Sequence, residues 1–250
     1  MSVVLDVATR LTERAAGARA ARVRRALVVL LAAAVLAGLG WVLLASPLLA
    51  VERVAVAGTA RTTPEQVTRA AAVAVGTPLA RVDVDGVRRR VGALPTVARV
   101  EVERAWPTTL RLRVVERRAV AGVLAEGSVT LLDGEGVAFA RERTLPGGAV
   151  RLQVPHPGPD DATTRSALAV LDELPDDLRR RLAIVRAPSP EVVSLLLEDG
   201  RKVVWGGPGR AEDKAAAALA LLRLPGTVYD VRSPHVAVRE DPGVAPPTPG

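Results

Sequence analysis

Two histidines and a few clusters of acids or glycines are all that this chain of 250 residues offers to chemistry, for it has no cysteine. Without cysteine there are no disulfides, no thiol nucleophile and no cysteine-ligated zinc or iron–sulfur site. His156 sits between two prolines and His235 in the terminal segment, and neither has a partner spaced as in HExxH or a hydrolase triad. Asp83, Asp85 and Gly86 imitate the start of a calcium loop, but Leu94 stands where the loop needs its twelfth-position glutamate. Asp85 reads more simply as the cap of the helix after it. Gly206-Gly207-Pro208-Gly209 lacks the Lys-Ser/Thr of a phosphate loop and reads as a turn. The pairs Asp160-Asp161 and Asp176-Asp177 fall at or just before helix starts, where negative charge suits the dipole. The expectation is a protein that is not an enzyme, with no catalytic residue, no metal, no cofactor and no small-molecule substrate.

The elements around these residues point to binding at a membrane. Ala26 to Ala45 is a run of 20 residues without a charge, about the roughly 30 Å of a bilayer's hydrocarbon core as a helix. Apolar character runs on past Ser46 and Pro47, and Trp41 falls near the far end, where an indole suits the headgroup boundary. Residues 1–25 hold six arginines against two acids, so the positive-inside rule keeps the N-terminus cytoplasmic and sends the rest across the plasma membrane. A cleaved signal peptide is the rival; its apolar core should be shorter, and the cut sites here pair Leu43 with Ala45 or Leu48 with Ala50. The expected organisation is a basic tail over 1–25, a transmembrane helix over 26–46, and external domains beyond.

The net charge is +7, of which the basic tail carries +4, so no basic domain remains to hold nucleic acid. Aromatic residues are 2% of the chain, too few for the stacking platforms of a single-strand binder.

Past the span, Val51 to Gly58 alternates as a strand, and Thr62 or Thr63 can cap a helix with Pro64 in its first turn and Gln66 at capping-box spacing. A second helix runs from about Asp85 to Ala93, with Arg88, Arg89 and Arg90 largely on its wet side. The period then becomes two: Val97, Val100 and Val102 precede a turn at Trp106-Pro107, and Leu110, Leu112 and Val114 follow it. Proline lacks a ladder donor, so Trp106-Pro107 ends one strand of this hairpin. Arg104 and Glu116 are expected to face each other across it as an ion pair.

Beyond Ala119, strands over 120–125 and 128–132 lead into an Asp133-Gly134-Glu135-Gly136 loop and a return over 137–140. Pro146 to Pro159 reads as loop, and Thr163 to Leu174 as a helix capped by Thr163 or Thr164. Strands follow over 182–186, 191–197 and 201–205, then a helix over 212–224 and a last segment over 228–239. Residues 240–250 are rich in proline and glycine and should be disordered.

The run VERVAVAGTARTTPEQV, with Gly58, followed by LPTVARVEVERAWPTTLRLRVVERRAVA, with Pro95, Arg104, Trp106, Pro107, Leu110 and Glu116, resembles the POTRA domain of the FtsQ/DivIB family of bacterial division proteins. Val204-Trp205-Gly206, Lys214 in an Ala/Leu helix, and Tyr229-Asp230-Val231-Arg232 are similar to actinobacterial members. The resemblance implies an α+β protein: one N-terminal transmembrane helix, a POTRA domain (β-α-α-β-β) over 51–118, and a mainly antiparallel β domain with flanking helices over 119–239 that continues the POTRA sheet.

The same resemblance implies a divisome scaffold at the division septum that binds FtsB/FtsL-type proteins, and through them FtsW/FtsI-type septal synthases. It places the partner contact on the last strands, and an open strand edge can accept a partner backbone. The expected contact segment is Tyr229 to Arg239, with Asp230, Val236 and Val238, and with Arg232 and Arg239 pairing to acidic partner side chains. The alternatives are a membrane-anchored envelope enzyme and a POTRA-type assembly or secretion factor.

Overall fold

The computed structural model describes residues 24–42, 47–233 and 238–240. Most of the basic tail, the segment 43–46, Val236 and nearly all of the Pro/Gly-rich end lie outside the described residues. The apolar run forms helix α1, Arg24–Val42, 19 residues with a mean hydropathy of 2.1 and none of its surface covered by protein. Such a helix, apolar all round and uncovered, has the length and composition to cross a membrane.

By its contacts the chain divides into two units, the first reaching Val115 and the second beginning at Glu116, with Pro95–Ala98 counted in the second. In the first, β1 (Arg53–Ala57), α2 (Pro64–Ala71), α3 (Val84–Gly92), β2 (Val97–Ala105) and β3 (Thr109–Glu116) follow in the expected order. The sheet order is β1-β3-β2, with β1 parallel to β3 in a register that sets Val54 beside Leu110 and Val56 beside Leu112. Leu110, Leu112 and Val114 are buried, as their alternation requires.

Helix α2 starts with the full capping box: Gln66 N donates to Thr63 Oγ1 (3.3 Å) and Thr63 N donates to Gln66 Oε1 (2.9 Å). Helix α3 is capped two residues earlier than its sequence suggests. Asp83, not Asp85, accepts from Gly86 N at 2.9 Å, because only a residue ahead of the helix can reach its free N–H groups. The Asp-x-Asp-Gly run is thus a cap, and a Cβ at Gly86 would fall 2.1 Å from the Asp83 carboxylate, so a larger residue there would displace the capping side chain. Gly58 is constrained in the same way: its φ is +85°, and a Cβ would meet the Val114 carbonyl oxygen at 2.1 Å.

Two arginines make contacts that their spacing does not announce. Arg90 is exposed, as its place on the wet side requires, and its Nε and Nη2 also donate to the Ala71 carbonyl (3.1 and 2.6 Å) and close the C-terminus of α2. Arg104 donates to the carbonyls of Leu79 (3.0 Å) and Val82 (2.8 Å), tying the end of β2 to the turn between the helices. The ion pair with Glu116 is geometrically excluded. Arg117 N donates to Thr96 O at 2.8 Å, which sets Glu116 near the start of β2 while Arg104 lies near its end, about 20 Å away at strand rise.

The second unit builds its own sheet of nine strands: β4 (Ala121–Ala125), β5 (Ser128–Leu132), β6 (Ala138–Glu142), β7 (Val150–Gln153), β8 (Leu182–Ser189), β9 (Val192–Leu197), β10 (Lys202–Val204), β11 (Val228–Asp230) and β12 (Val238–Glu240). The order is β12-β11-β10-β9-β8-β7-β4-β5-β6, and among the described residues no strand joins it to the three-stranded sheet, so the expected continuation of that sheet is not found there. Its first strand is committed on both sides, to β5 and to β7.

The segment read as loop between Pro146 and Pro159 contains β7, which pairs in parallel with both β4 and β8. Its four residues are bracketed by prolines and glycines, and parallel partners distant in sequence leave no local turn signal. Helix α4 (Ala162–Glu173) is capped by Asp161, which accepts from Thr164 N at 2.6 Å, so neither threonine named above is the cap. A short α5 (Asp176–Arg179) and α6 (Ala211–Leu221) complete the unit. Leu152, Leu171, Leu178, Val185, Leu195, Trp205 and Tyr229 are fully buried within one core.

Candidate partner-binding edge

Strand β10 leads into Trp205, whose indole is buried beneath α6. Lys214 of α6 is buried as well, an expensive position for an ammonium group. Its Nζ donates to Gly207 O at 2.7 Å and lies 5.8 Å from the Trp205 ring centroid. Burial, and then the charge of Arg210, hold its pKa below the usual lysine value. The glycine-rich turn after Trp205 is therefore pinned from inside by a lysine, and it holds no phosphate-binding lysine of its own.

The next crossing brings the chain back as β11, parallel to β10, with Tyr229 beside Val203. Tyr229 is fully buried, and its hydroxyl is shared between Leu224 O (2.8 Å) and Gly226 O (3.0 Å). Of the residues expected at the contact, Tyr229 thus has no side-chain surface to offer, and it anchors the strand instead. Asp230 and Arg232 hold each other. Arg232 Nε and Nη2 donate to Asp230 Oδ2 (2.9 and 2.6 Å), and its backbone N–H donates to Oδ1 (3.0 Å). The stem of Arg232 lies over Gly206, where a Cβ would come within 3.0 Å of Arg232 Cγ.

The Arg232 guanidinium holds the Asp230 carboxyl below the usual aspartate range. A carboxyl whose pKa is lowered by folding adds stability above its unfolded pKa of about 3.9 and loses it as the pH falls through the lowered value. Asp230→Asn should therefore lower the melting temperature by a constant amount from neutral pH down to about 4, and the difference should close below that. A gap that did not narrow at all as the pH fell below about 4 would count against a contribution through charge.

Beyond this clamp the chain returns antiparallel as β12, with Val238 opposite Asp230, Arg239 opposite Tyr229 and Glu240 opposite Val228. Strand β12 ends the sheet, and among the described residues no strand pairs with its outer side. The backbone of Val238 and Arg239 is thus placed on an open edge, and Val236 lies outside the described residues. Of the remaining motif residues, Gly58, Arg104 and Leu110 have the structural roles given above, Pro95 is in the turn before β2, and Trp106-Pro107 is in the hairpin turn.

Sequence reading missed Arg117 and Asp133, a largely buried ion pair in which Asp133 also accepts from Glu135 N (3.0 Å) and Val137 N (2.9 Å). No local spacing signals a pair formed across 16 residues. His156 is exposed, and among the described residues no group of three or more His, Asp or Glu side chains could hold a metal ion.

An apolar helix, a small β-α-α-β-β unit and a nine-stranded domain ending on an open strand define a POTRA-bearing protein with a second, β-rich domain. The description "POTRA domain, FtsQ-type" matches residues 49–117, and "Cell division protein FtsQ/DivIB, C-terminal" matches residues 122–232. The Cell division protein FtsQ of Streptomyces bingchenggensis is 42% identical over 223 residues, 84% of each chain. That of Mycobacteroides abscessus is 40% identical over 210 residues, 84% of this chain and 67% of the other, and that of Mycolicibacterium smegmatis is 41% identical over 59% of its own length. The extracytoplasmic domain of DivIB from Geobacillus stearothermophilus aligns over 98% of its length and 44% of this chain, at 20% identity and a TM-score of 0.31. The chain belongs to the FtsQ/DivIB family of cell division proteins, and its role lies in the division machinery.

Proposed function

We propose that this protein is a non-catalytic scaffold of the division machinery, held in the plasma membrane by α1 with its two folded units outside the cytoplasm. It receives an FtsB/FtsL-type partner along β12 and so connects FtsW/FtsI-type septal synthases to the division ring. The observation that carries this reading is the open outer edge of β12 on a strand, β11, held from both sides. An unpaired edge is a hazard that a free protein normally blunts, and its exposure is useful when a partner strand completes the ladder. The opposite edge, β6, suits a partner less well, because its pairing with β5 slips register between Leu131 and Leu132.

Arg232 is already clamped to Asp230, so its part is to hold the backbone leading into β12, and an incoming acidic side chain would have to compete with that carboxylate. The test is an N-terminal fluorescent fusion in dividing cells depleted of the native copy. A mid-cell band with rescued division is the expected result. Uniform membrane signal without rescue would overturn the scaffold reading.

A further inference from the structure

Large apolar side chains at the start of the POTRA unit are left in the open. Leu48 is 76% exposed, Val75 74% and Trp106 50%. They come from three separate segments, and hydrogen bonds gather those segments around the start of β1. Gly76 N donates to Val51 O (2.9 Å) and Val51 N to Thr77 O (2.8 Å), which seats Val75 beside the segment that carries Leu48. Glu52 N donates to Thr108 O (2.9 Å), which brings the Trp106 turn to the same end.

The chain itself says what lies opposite. Val42 ends α1 and Pro47 begins the following 3-10 turn, so five residue steps, roughly 18 Å fully extended, separate this patch from the end of the apolar helix. The headgroup layer adds about 6 Å to each side of a bilayer's hydrocarbon core, within that reach. An indole with two aliphatic neighbours is a side-chain set suited to that layer, where an apolar body meets a wet boundary.

We infer that Leu48, Val75 and Trp106 form a membrane-facing foot, by which the POTRA unit rests in the headgroup layer of the bilayer that α1 crosses. This rests on the proposed membrane anchoring. The foot would restrict the tilt of the unit and add an interfacial contact to the anchor.

The chain has no cysteine, so single cysteines can be placed and spin-labelled without a background. The full chain is reconstituted into phosphatidylcholine/phosphatidylglycerol vesicles with a label at one of four places: Gly38→Cys in α1, Leu48→Cys, Val75→Cys, or Val115→Cys near the far end of the β2–β3 hairpin, itself 55% exposed. Collisions with oxygen and with a water-soluble nickel chelate are compared. Oxygen should dominate at 38, 48 and 75, and the chelate at 115. Chelate dominance at 48 and 75 with oxygen dominance at 38 overturns the foot alone. Chelate dominance at 38 overturns the anchoring reading beneath it. Protection at 48 and 75 that disappears as the lipid-to-protein ratio rises identifies a contact between copies and also overturns the proposal.

Discussion

Trp205→Ala should destabilise the β domain by about 3–5 kcal/mol, the range for truncating a large buried aromatic side chain. Trp205 is fully buried, with an accessibility of 0%, and it shares its core with Val203, Ala215, Ala218 and Tyr229. Alanine would also remove the ring from beside Lys214, leaving a buried ammonium that donates to the Gly207 carbonyl without the ring beside it. Against a typical domain stability of about 5–15 kcal/mol, the change removes a large share of the total. Trp205→Phe is the informative contrast. The indole Nε1 is buried and among the described residues finds no hydrogen-bond partner, so phenylalanine removes an unsatisfied donor along with some volume and should cost much less. Urea unfolding of the full chain in detergent, followed by far-ultraviolet circular dichroism, reads both variants. A loss below about 1 kcal/mol for Trp205→Ala would mean that the core does not depend on this ring.

The second large effect concerns binding. In an antiparallel ladder successive N–H groups point to opposite sides of a strand. Of Val238 and Arg239, one therefore donates toward β11 and the other toward the open edge. Proline at the outward position should leave the fold intact and remove a donor from the partner's ladder. An unmatched carbonyl on the partner costs about 1–3 kcal/mol, on the order of ten- to a hundredfold in affinity. Proline at the inward position should instead loosen β12 and lower the melting temperature too. Comparing Val238→Pro with Arg239→Pro in the full chain, by melting temperature and by binding of an FtsB-type partner, separates the two roles. If both variants bind as tightly as the parent, β12 is not the docking strand.

Local rules carried the POTRA unit well. Thr63, Pro64 and Gln66 announced α2 because a capping box is a property of four consecutive residues. The alternation through Leu110, Leu112 and Val114 announced β3 because one face of a sheet must be dry. The same rules failed where a contact spans the chain. Arg104 binds carbonyls 22 and 25 residues away, and neither Leu79 nor Val82 carries a mark that a backbone acceptor is needed. Strand β7 was hidden because its partners, β4 and β8, are parallel and reached through long connections. Asp83 and Asp161 lost the capping role to neighbours in the sequence reading because several adjacent side chains had the right chemistry, and only backbone geometry chooses among them.

The residues expected to meet a partner divide along the same line. A strand near the end of the chain was legible, since Val236 and Val238 alternate with Ala237 and Arg239 in the sequence. The roles within it were not. Tyr229 is a core residue with a satisfied hydroxyl, and Asp230 with Arg232 forms an internal clamp. Composition and spacing alone established an apolar helix of membrane length, a chain without thiol chemistry, and a β-α-α-β-β unit, because these follow from the chemistry of single residues and from periods of two or 3.6. Folding in three dimensions decided that the second domain closes its own nine-stranded sheet, that Lys214 is buried against Trp205, and that β12 is left as the open edge. Those outcomes depend on which distant strands pair, and pairing is set by the burial of a shared core that no short window of sequence contains.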